Sequence, residues 1–331
     1  MEARQNIRDL SILLDMETLK ITGEILLDNR VSLWLEAAKR IAPRTFEFII
    51  CSNQSLEGKV ELPEGIKLLV EPGLGYYALK NAGARKAEGK ILFFGDVDCR
   101  PDPDYLVKLL DHYETLDANI IGGRTFYDGK DFASRANSAV SWGYLHGVDG
   151  LEAGGCYLGH NVSVRRDSFP DYFGPYTARY GGDEYITARH RVAGEKIPVP
   201  QDLIIYHESM AHSLRALLDR HFREIGRVAL ISSFDGTITP GQMLREARKC
   251  NRGRWQNFKR HAHKFGIKRS EWWKGWLLFG FYSAFSVFAV LILIVRPSLL
   301  SKWLAYQFGD LKKCIPVAKQ IDLCQQNPAV S

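Results

Sequence analysis

The sequence predicts an α/β fold built on a parallel sheet with crossover helices. Three observations carry this. Apolar runs of strand length recur at residues 10–15 (LSILLD), 46–51 (FEFIIC), 66–70 (IKLLV) and 91–94 (ILFF). Segments with helical character separate them. The last run stops abruptly at Gly95-Asp96-Val97-Asp98, two carboxylates one residue apart. In an open α/β sheet, ligands bind in the crevice beyond the carboxyl ends of the strands.

Taken in order, strand one ends at Asp15-Met16-Glu17-Thr18. Residues 29–41 have apolar positions at 31, 33, 34, 35, 37, 38 and 41 and form a helix stopped by Pro43. Strand two ends at Ser52-Asn53. A second helix runs from about Tyr76, with Lys80, Asn81 and Arg85 near its polar face, and Gly89 ends it before strand four. A helix at 104–116 and a strand at 118–122 follow, then a glycine-rich, less regular section to about Gly155. Residues 159–166 (GHNVSVRR) alternate into two arginines. Gly182-Asp183-Glu184 opens a helix, whose first turn tolerates acidic residues. A last strand over 196–205 precedes Tyr206-His207-Glu208.

The composition is that of a globular protein: 25% charged and 46% hydrophobic in 331 residues. Six cysteines without a Cys-x-x-Cys pair argue against a zinc site and a disulfide framework. The N-terminal MEARQNIRDL has no apolar core, so no cleaved secretory signal is expected. The net charge of +6 is concentrated: 11 Lys or Arg lie between Arg245 and Lys274, against Glu246 and Glu271. This block runs into Trp276–Val295, which carries no charge and is long enough to span a hydrocarbon core. Trp272, Trp273, Trp276 and Trp303 flank the span as an aromatic belt would. That position suits anionic lipid headgroups rather than nucleic acid.

Asp-x-Asp alone is a common tripeptide and equally describes a solvated turn. Here a third acidic site follows, and then a histidine after another strand. Two carboxylates to hold a divalent cation, a separate carboxylate as base and a histidine to complete the metal sphere suit displacement at a sugar carbon.

With these residues in place, the pattern resembles the family 2 glycosyltransferases of GT-A fold, from about Leu10 to Arg227. Lys80-Asn81-Ala82-Gly83 with Ala87-Glu88-Gly89 is similar to the family's segment before the metal site. Asp96-Val97-Asp98 looks like its Asp-x-Asp, 159–166 like its strand beside the acceptor, and Gly182-Asp183-Glu184 with Arg189 like its base motif. The resemblance implies inverting transfer from a nucleotide-activated sugar, UDP-linked by default, with Mn²⁺ or Mg²⁺. It implies Asp96, Asp98 and His207 as metal ligands and Asp183 as base, with Glu184 as the fallback. Asp15, Glu17, Asn53, Lys80, Asp96 and Asp98 would contact the donor, and Asn161 and Arg166 the acceptor. Gly182 departs from the family, which usually has Glu there. Asp15–Thr18 and Ser52-Asn53 depart from the usual nucleobase-contacting strand ends. No Gln-x-x-Arg-Trp motif follows His207.

The expected organisation is a GT-A domain over 1–212, basic amphipathic membrane-interface helices over 213–274, a transmembrane helix over 275–296 and a tail over 297–331. The expected acceptor is a lipid-linked or cell-envelope glycan, handled by a catalytic domain on the cytoplasmic face of the cell membrane. Two rivals are transfer to a polyprenyl phosphate, which needs no base, and a catalytically silent sugar-nucleotide-binding membrane protein.

Overall fold

The computed structural model describes residues 10–15, 25–53, 62–151, 155–168, 173, 182–208, 239–296, 298–299 and 302. Four parallel strands form one half of the main sheet: β1 (Leu10–Asp15), β2 (Phe46–Ser52), β3 (Ile66–Val70) and β4 (Ile91–Asp96). Helix α1 (Ile25–Lys39) joins β1 to β2, and α2 (Tyr76–Lys86) joins β3 to β4. Beyond β4 come β5 (Cys99–Pro101), helix α3 (Tyr105–Thr115), β6 (Ile120–Gly122), β7 (Arg124–Asp128), helix α4 (Phe132–Trp142) and β8 (Asn161–Arg165). Helix α5 (Gly182–Val192) and β9 (Ile204–Glu208) complete the α/β part. The main sheet has the order β3-β2-β1-β4-β8-β6, with β8 antiparallel to both neighbours. A second sheet has the order β5-β9-β7. This is the Rossmann-like mixed sheet expected of a GT-A fold.

Alternation along the central strands sends side chains to two apolar layers. Leu10, Ile12, Leu14, Phe48, Ile50 and Phe93 pack with Val31 and Trp34 of α1 and Tyr105, Leu106 and Leu109 of α3. Leu13, Ile49, Leu92 and Phe94 pack on the other face with Tyr77 and Leu79 of α2, and with Phe173 and Ile186. The register sets Asp15 level with Cys51 on one side and Asp96 on the other, so β1, β2 and β4 end on one line.

The opposite end of the sheet is closed by Glu47. Its carboxylate accepts from Ser11 Oγ (2.5 Å), the N–H groups of Glu88 (2.5 Å) and Gly89 (3.2 Å), and Lys67 Nζ (2.9 Å). A Cβ on Gly89 would lie 2.5 Å from the Ser11 amide nitrogen, so only glycine lets the α2–β4 connection approach β1 this closely. Burial alone would raise the Glu47 carboxyl, but the hydrogen bonds from Ser11, the Glu88 amide and Lys67 outweigh it and hold it below 4.5.

The structure departs from the sequence expectations in two places. The section from Gly123 to Gly155 holds β7 and α4. Helix α4 reads FASRANSAVSW, small and polar with little apolar periodicity, and its start rests on Asp131 accepting from the Ser134 amide. The last strand begins only at Ile204, after Pro198 and Pro200, and runs through His207, which the sequence had set beyond it.

Two further helices follow: α6 (Pro240–His261), begun by a Thr239–Gln242 capping box, and α7 (Trp272–Val295). Phe258, Ala262, Ile267, Phe279 and Tyr282 pack with Ala136 and Val140 of α4, which ties both helices to the α/β part. Residues 269–292 are long and apolar enough to cross a membrane by length and composition. The expected segment over 213–238, including the basic run at 220–227, lies outside the described residues.

Because the Glu47 carboxyl sits below its ordinary value, its contribution to stability is complete above about pH 4.5 and is lost as pH falls through the folded value. Glu47→Gln is expected to lower stability by about 2–3 kcal/mol at pH 7, with the gap to the unmodified protein closing below pH 4.5. Urea denaturation across pH 3–8 checks this.

Candidate active site

The carboxyl edge of β4 carries the densest set of buried ionisable groups among the described residues. Asp96 is 5% exposed. Lys80 Nζ, itself buried on α2, donates to Asp96 Oδ1 at 2.7 Å and to the Gly95 carbonyl at 3.0 Å. Tyr76 OH lies 3.0 Å from each Asp96 oxygen, and the Lys80 ammonium sits 4.5 Å from the Tyr76 ring centre. Burial pushes the Asp96 carboxyl up, but Lys80, and beyond it His160, pull it below the ordinary range. Asp96 is therefore an ionised carboxylate already neutralised by a fixed cation.

Asp98 has the opposite balance. Burial raises its carboxyl, His207 only partly offsets this, and Asp96 and Glu208 add to the rise. The turn that carries it is held from two sides: Arg30 Nη1 (2.6 Å) and the Glu208 amide (3.0 Å) both donate to the Asp98 carbonyl. Arg30 also pairs with Glu208 at 3.2 Å. The antiparallel register of β5 and β9 puts His207 opposite Cys99, and His207 Nε2 comes to 3.7 Å from Asp98 Oδ2. His207 Nδ1 lies 3.0 Å from the Glu208 carbonyl, so Nδ1 donates there and Nε2 is the ring nitrogen that faces Asp98.

One candidate ligand was not assigned from the sequence. His160, at the turn before β8, has a ring nitrogen within 4.8 Å of ligand atoms of Asp96 and His207. The His160 and His207 ring centres are 5.0 Å apart. Cys99 joins Asp98 and His207 in a second such group, but burial raises its thiol well above 9, so it stays protonated. Carboxylate oxygens with two imidazoles suit a first-row divalent ion such as Mn²⁺ better than Mg²⁺, which prefers oxygen alone. The side chains present thus fit a divalent cation.

Asp183 stands in the first turn of α5. Tyr77 OH donates to its Oδ1 and the Gly159 amide donates to Oδ2 at 3.2 Å. Tyr76 and Tyr77, edge to face at 4.8 Å, therefore each hold one carboxylate: the first Asp96, the second Asp183. Gly182 explains its own departure from the expected glutamate. A Cβ there would lie 2.5 Å from the Tyr77 ring, so the ring that holds Asp183 occupies the space a side chain would need.

The other expected residues divide. Asn53 directly follows β2 and donates through Nδ2 to the Leu74 carbonyl at 3.3 Å, while its Oδ1 is buried without a hydrogen-bond partner among the described residues. Asp15 ends β1 level with Asp96. Glu17 lies outside the described residues, and of Glu184 only its place in α5 is described. Two expectations are corrected. Asn161 is fully buried, donating to the Arg124 carbonyl (2.9 Å) and accepting from Tyr105 OH (2.5 Å), so it joins the two sheets instead of facing an acceptor. Arg166 donates to the Ala87 carbonyl, and its backbone pairs with Lys90, at the amino end of β4. Six residues of strand separate it from Asp96, about 20 Å.

Fold and site together define a class: a Rossmann-like mixed sheet whose carboxyl edge gathers an Asp-x-Asp, two histidines and a separate carboxylate. Residues 35–173 match the family described as Glycosyl transferase family 2. The chain is similar to "Glycosyltransferase AglE" of Haloferax volcanii, 25% identical over 188 residues, which is 54% of this chain and 61% of that protein. Among solved structures it is similar to S. aureus TarS 1-349, at 14% identity and a TM-score of 0.43, covering 67% of this chain and 65% of that one. It is also similar to GalNAc-T7 with UDP, GalNAc and Mn2+, at 15% identity and a TM-score of 0.45, covering 62% and 44%. The chain thus spans less than two thirds of the length of each of these proteins.

Lys80→Met would leave the Asp96 carboxylate buried without its cation. Stability should fall by about 3–5 kcal/mol, and Lys80→Met with Asp96→Asn should recover part of that loss. A double-mutant cycle in guanidinium measures it.

Proposed function

We propose that the chain is an inverting, metal-dependent glycosyltransferase acting from a nucleotide-diphosphate sugar onto a hydroxyl of a membrane-associated glycan acceptor. The observation that carries the reading is the convergence of Asp96, His160 and His207 ligand atoms within 4.8 Å of one another at the carboxyl edge of β4. Asp98 and His207 would hold the cation, with Asp96 and His160 in reach. When bound, the cation neutralises the diphosphate of the donor and of the leaving group.

The chain's own residues do the rest. Lys80 keeps Asp96 ionised, and Tyr76 fixes its orientation. Asn53, just after β2, and Asp15, at the end of β1, would contact the nucleoside, with Glu17 nearby in sequence. Asp183 takes the proton of the acceptor hydroxyl. The acceptor oxygen bonds to the anomeric carbon from the face opposite the diphosphate, and the carbon–oxygen bond to the diphosphate breaks with its electron pair. One displacement inverts the configuration. Tyr77 and the Gly159 amide donate to Asp183 and hold it in one rotamer. Glu184 remains the second choice for the base.

UDP is the proposed default donor. Membrane attachment on the cytoplasmic face rests on the basic block before α7 and the apolar composition of that helix.

Purified full-length protein with UDP-sugars, Mn²⁺ and a membrane-extract acceptor should release UDP in step with transfer. Asp183→Asn should cut kcat by about 10²–10⁴-fold without weakening donor binding. Tyr77→Phe keeps the ring and loses the hydroxyl, and should cut kcat about tenfold or more with the donor KM within twofold. Full turnover by Asp183→Asn would overturn the base assignment.

A further inference from the structure

We propose that α6 and α7 form an antiparallel hairpin that lies in the plane of an anionic membrane, so that α7 does not cross it. The inference rests on the membrane attachment proposed above and specifies its geometry.

Helix α7 has two unlike faces. Gly275, Phe279, Tyr282, Ser286 and Val290 are buried, forming one stripe at helical spacing over about 22 Å. The opposite stripe is exposed and apolar: Trp273, Trp276 (65%), Leu277, Phe281, Phe288 and Leu291. Helix α6 covers the buried stripe along its length. Phe258, near its end, meets Gly275, Phe279 and Trp272. Met243 and Ala247, near its start, share a buried cluster with Val290.

The partner helix decides the orientation. Arg245, Arg248, Lys249, Arg252, Lys259 and Arg260 of α6 are all exposed. A spanning α7 would carry this row to the depth of the hydrocarbon core, where cations are strongly disfavoured. Lying flat, α7 seats its apolar stripe at the acyl boundary, and the row stays at headgroup level, where anionic lipid attracts it. A cleft of about 550 Å³ lined by Lys259, His263, Ile267, Lys268, Arg269 and Trp272 sits where α7 begins, and its cations suit a phospholipid headgroup.

The full chain is mixed with vesicles of phosphatidylcholine alone or with 30% phosphatidylglycerol, and floated. Binding should be at least tenfold stronger with phosphatidylglycerol, and Arg245→Glu/Lys249→Glu/Arg252→Glu should remove most of that gain. Nitroxide labels on cysteines placed singly at Leu277, Ala284 and Leu291, seven residues apart on one face, should report one common depth of about 5–10 Å. A label at Ala284 roughly 10 Å deeper than the other two would show a spanning helix and overturn the in-plane inference while keeping membrane attachment. Failure to float on either vesicle, or a dimer that hides all three labels, would overturn both.

Discussion

The buried pair of Lys80 and Asp96 is the constraint on which the site depends. A carboxylate at the end of a central strand, 5% exposed, is tolerated only with a cation fixed against it. Lys80 supplies that cation from the middle of α2 at 2.7 Å, and this sets how α2 lies on the sheet. The position of α2 in turn brings Tyr76 over Asp96 and Tyr77 over Asp183. At the far end of the same helix, Glu47 and Gly89 set the height of β4 against β1. Helix α2 is thus clamped at both ends, and the two acidic groups of the site inherit their geometry from it.

The pair also divides the work of the two aspartates. Asp96 is compensated by protein. Asp98 is raised by burial and only partly relieved by His207, and so is the carboxylate with most to gain from a cation. The second sheet exists for this edge as much as for the core: β9 delivers His207 beside Asp98, and Glu208 and Arg30 pin the turn between them.

Much of this was legible in the sequence. The four parallel strands, α1, α2 and α3 follow from apolar runs and breakers, and Asp96, Asp98 and His207 meet at one edge as their motifs suggested. The second sheet was not legible, because β5 has three residues and β7 follows a glycine pair that reads as loop. His160 was left without a role, since only the β-turn before β8 aims it at His207. Asn161 stands at the site end of β8, level with Gly95, but is buried between the sheets, whereas Arg166 lies far from the site. The motif gives residue types on a strand, but the antiparallel direction of β8 decides which end reaches the site, and it sends the arginines away. The transmembrane expectation for α7 came from its length, its composition and its basic flank, and the packing of α6 along it is what the sequence does not show. Beside it, α6 carries six exposed cations, and a charge near mid-bilayer costs roughly 2.5–3.5 kcal/mol, which is the ground of the in-plane proposal.

The central claim is that the carboxyl edge of β4 holds a cation that in turn holds a nucleotide diphosphate. Calorimetric titration of UDP into the full-length protein, with and without Mn²⁺, tests it most directly. The account predicts binding that strengthens at least tenfold with Mn²⁺ and loses that gain in Asp98→Asn and His207→Ala. UDP binding that is indifferent to Mn²⁺, or that keeps its full Mn²⁺ dependence in both variants, would contradict it.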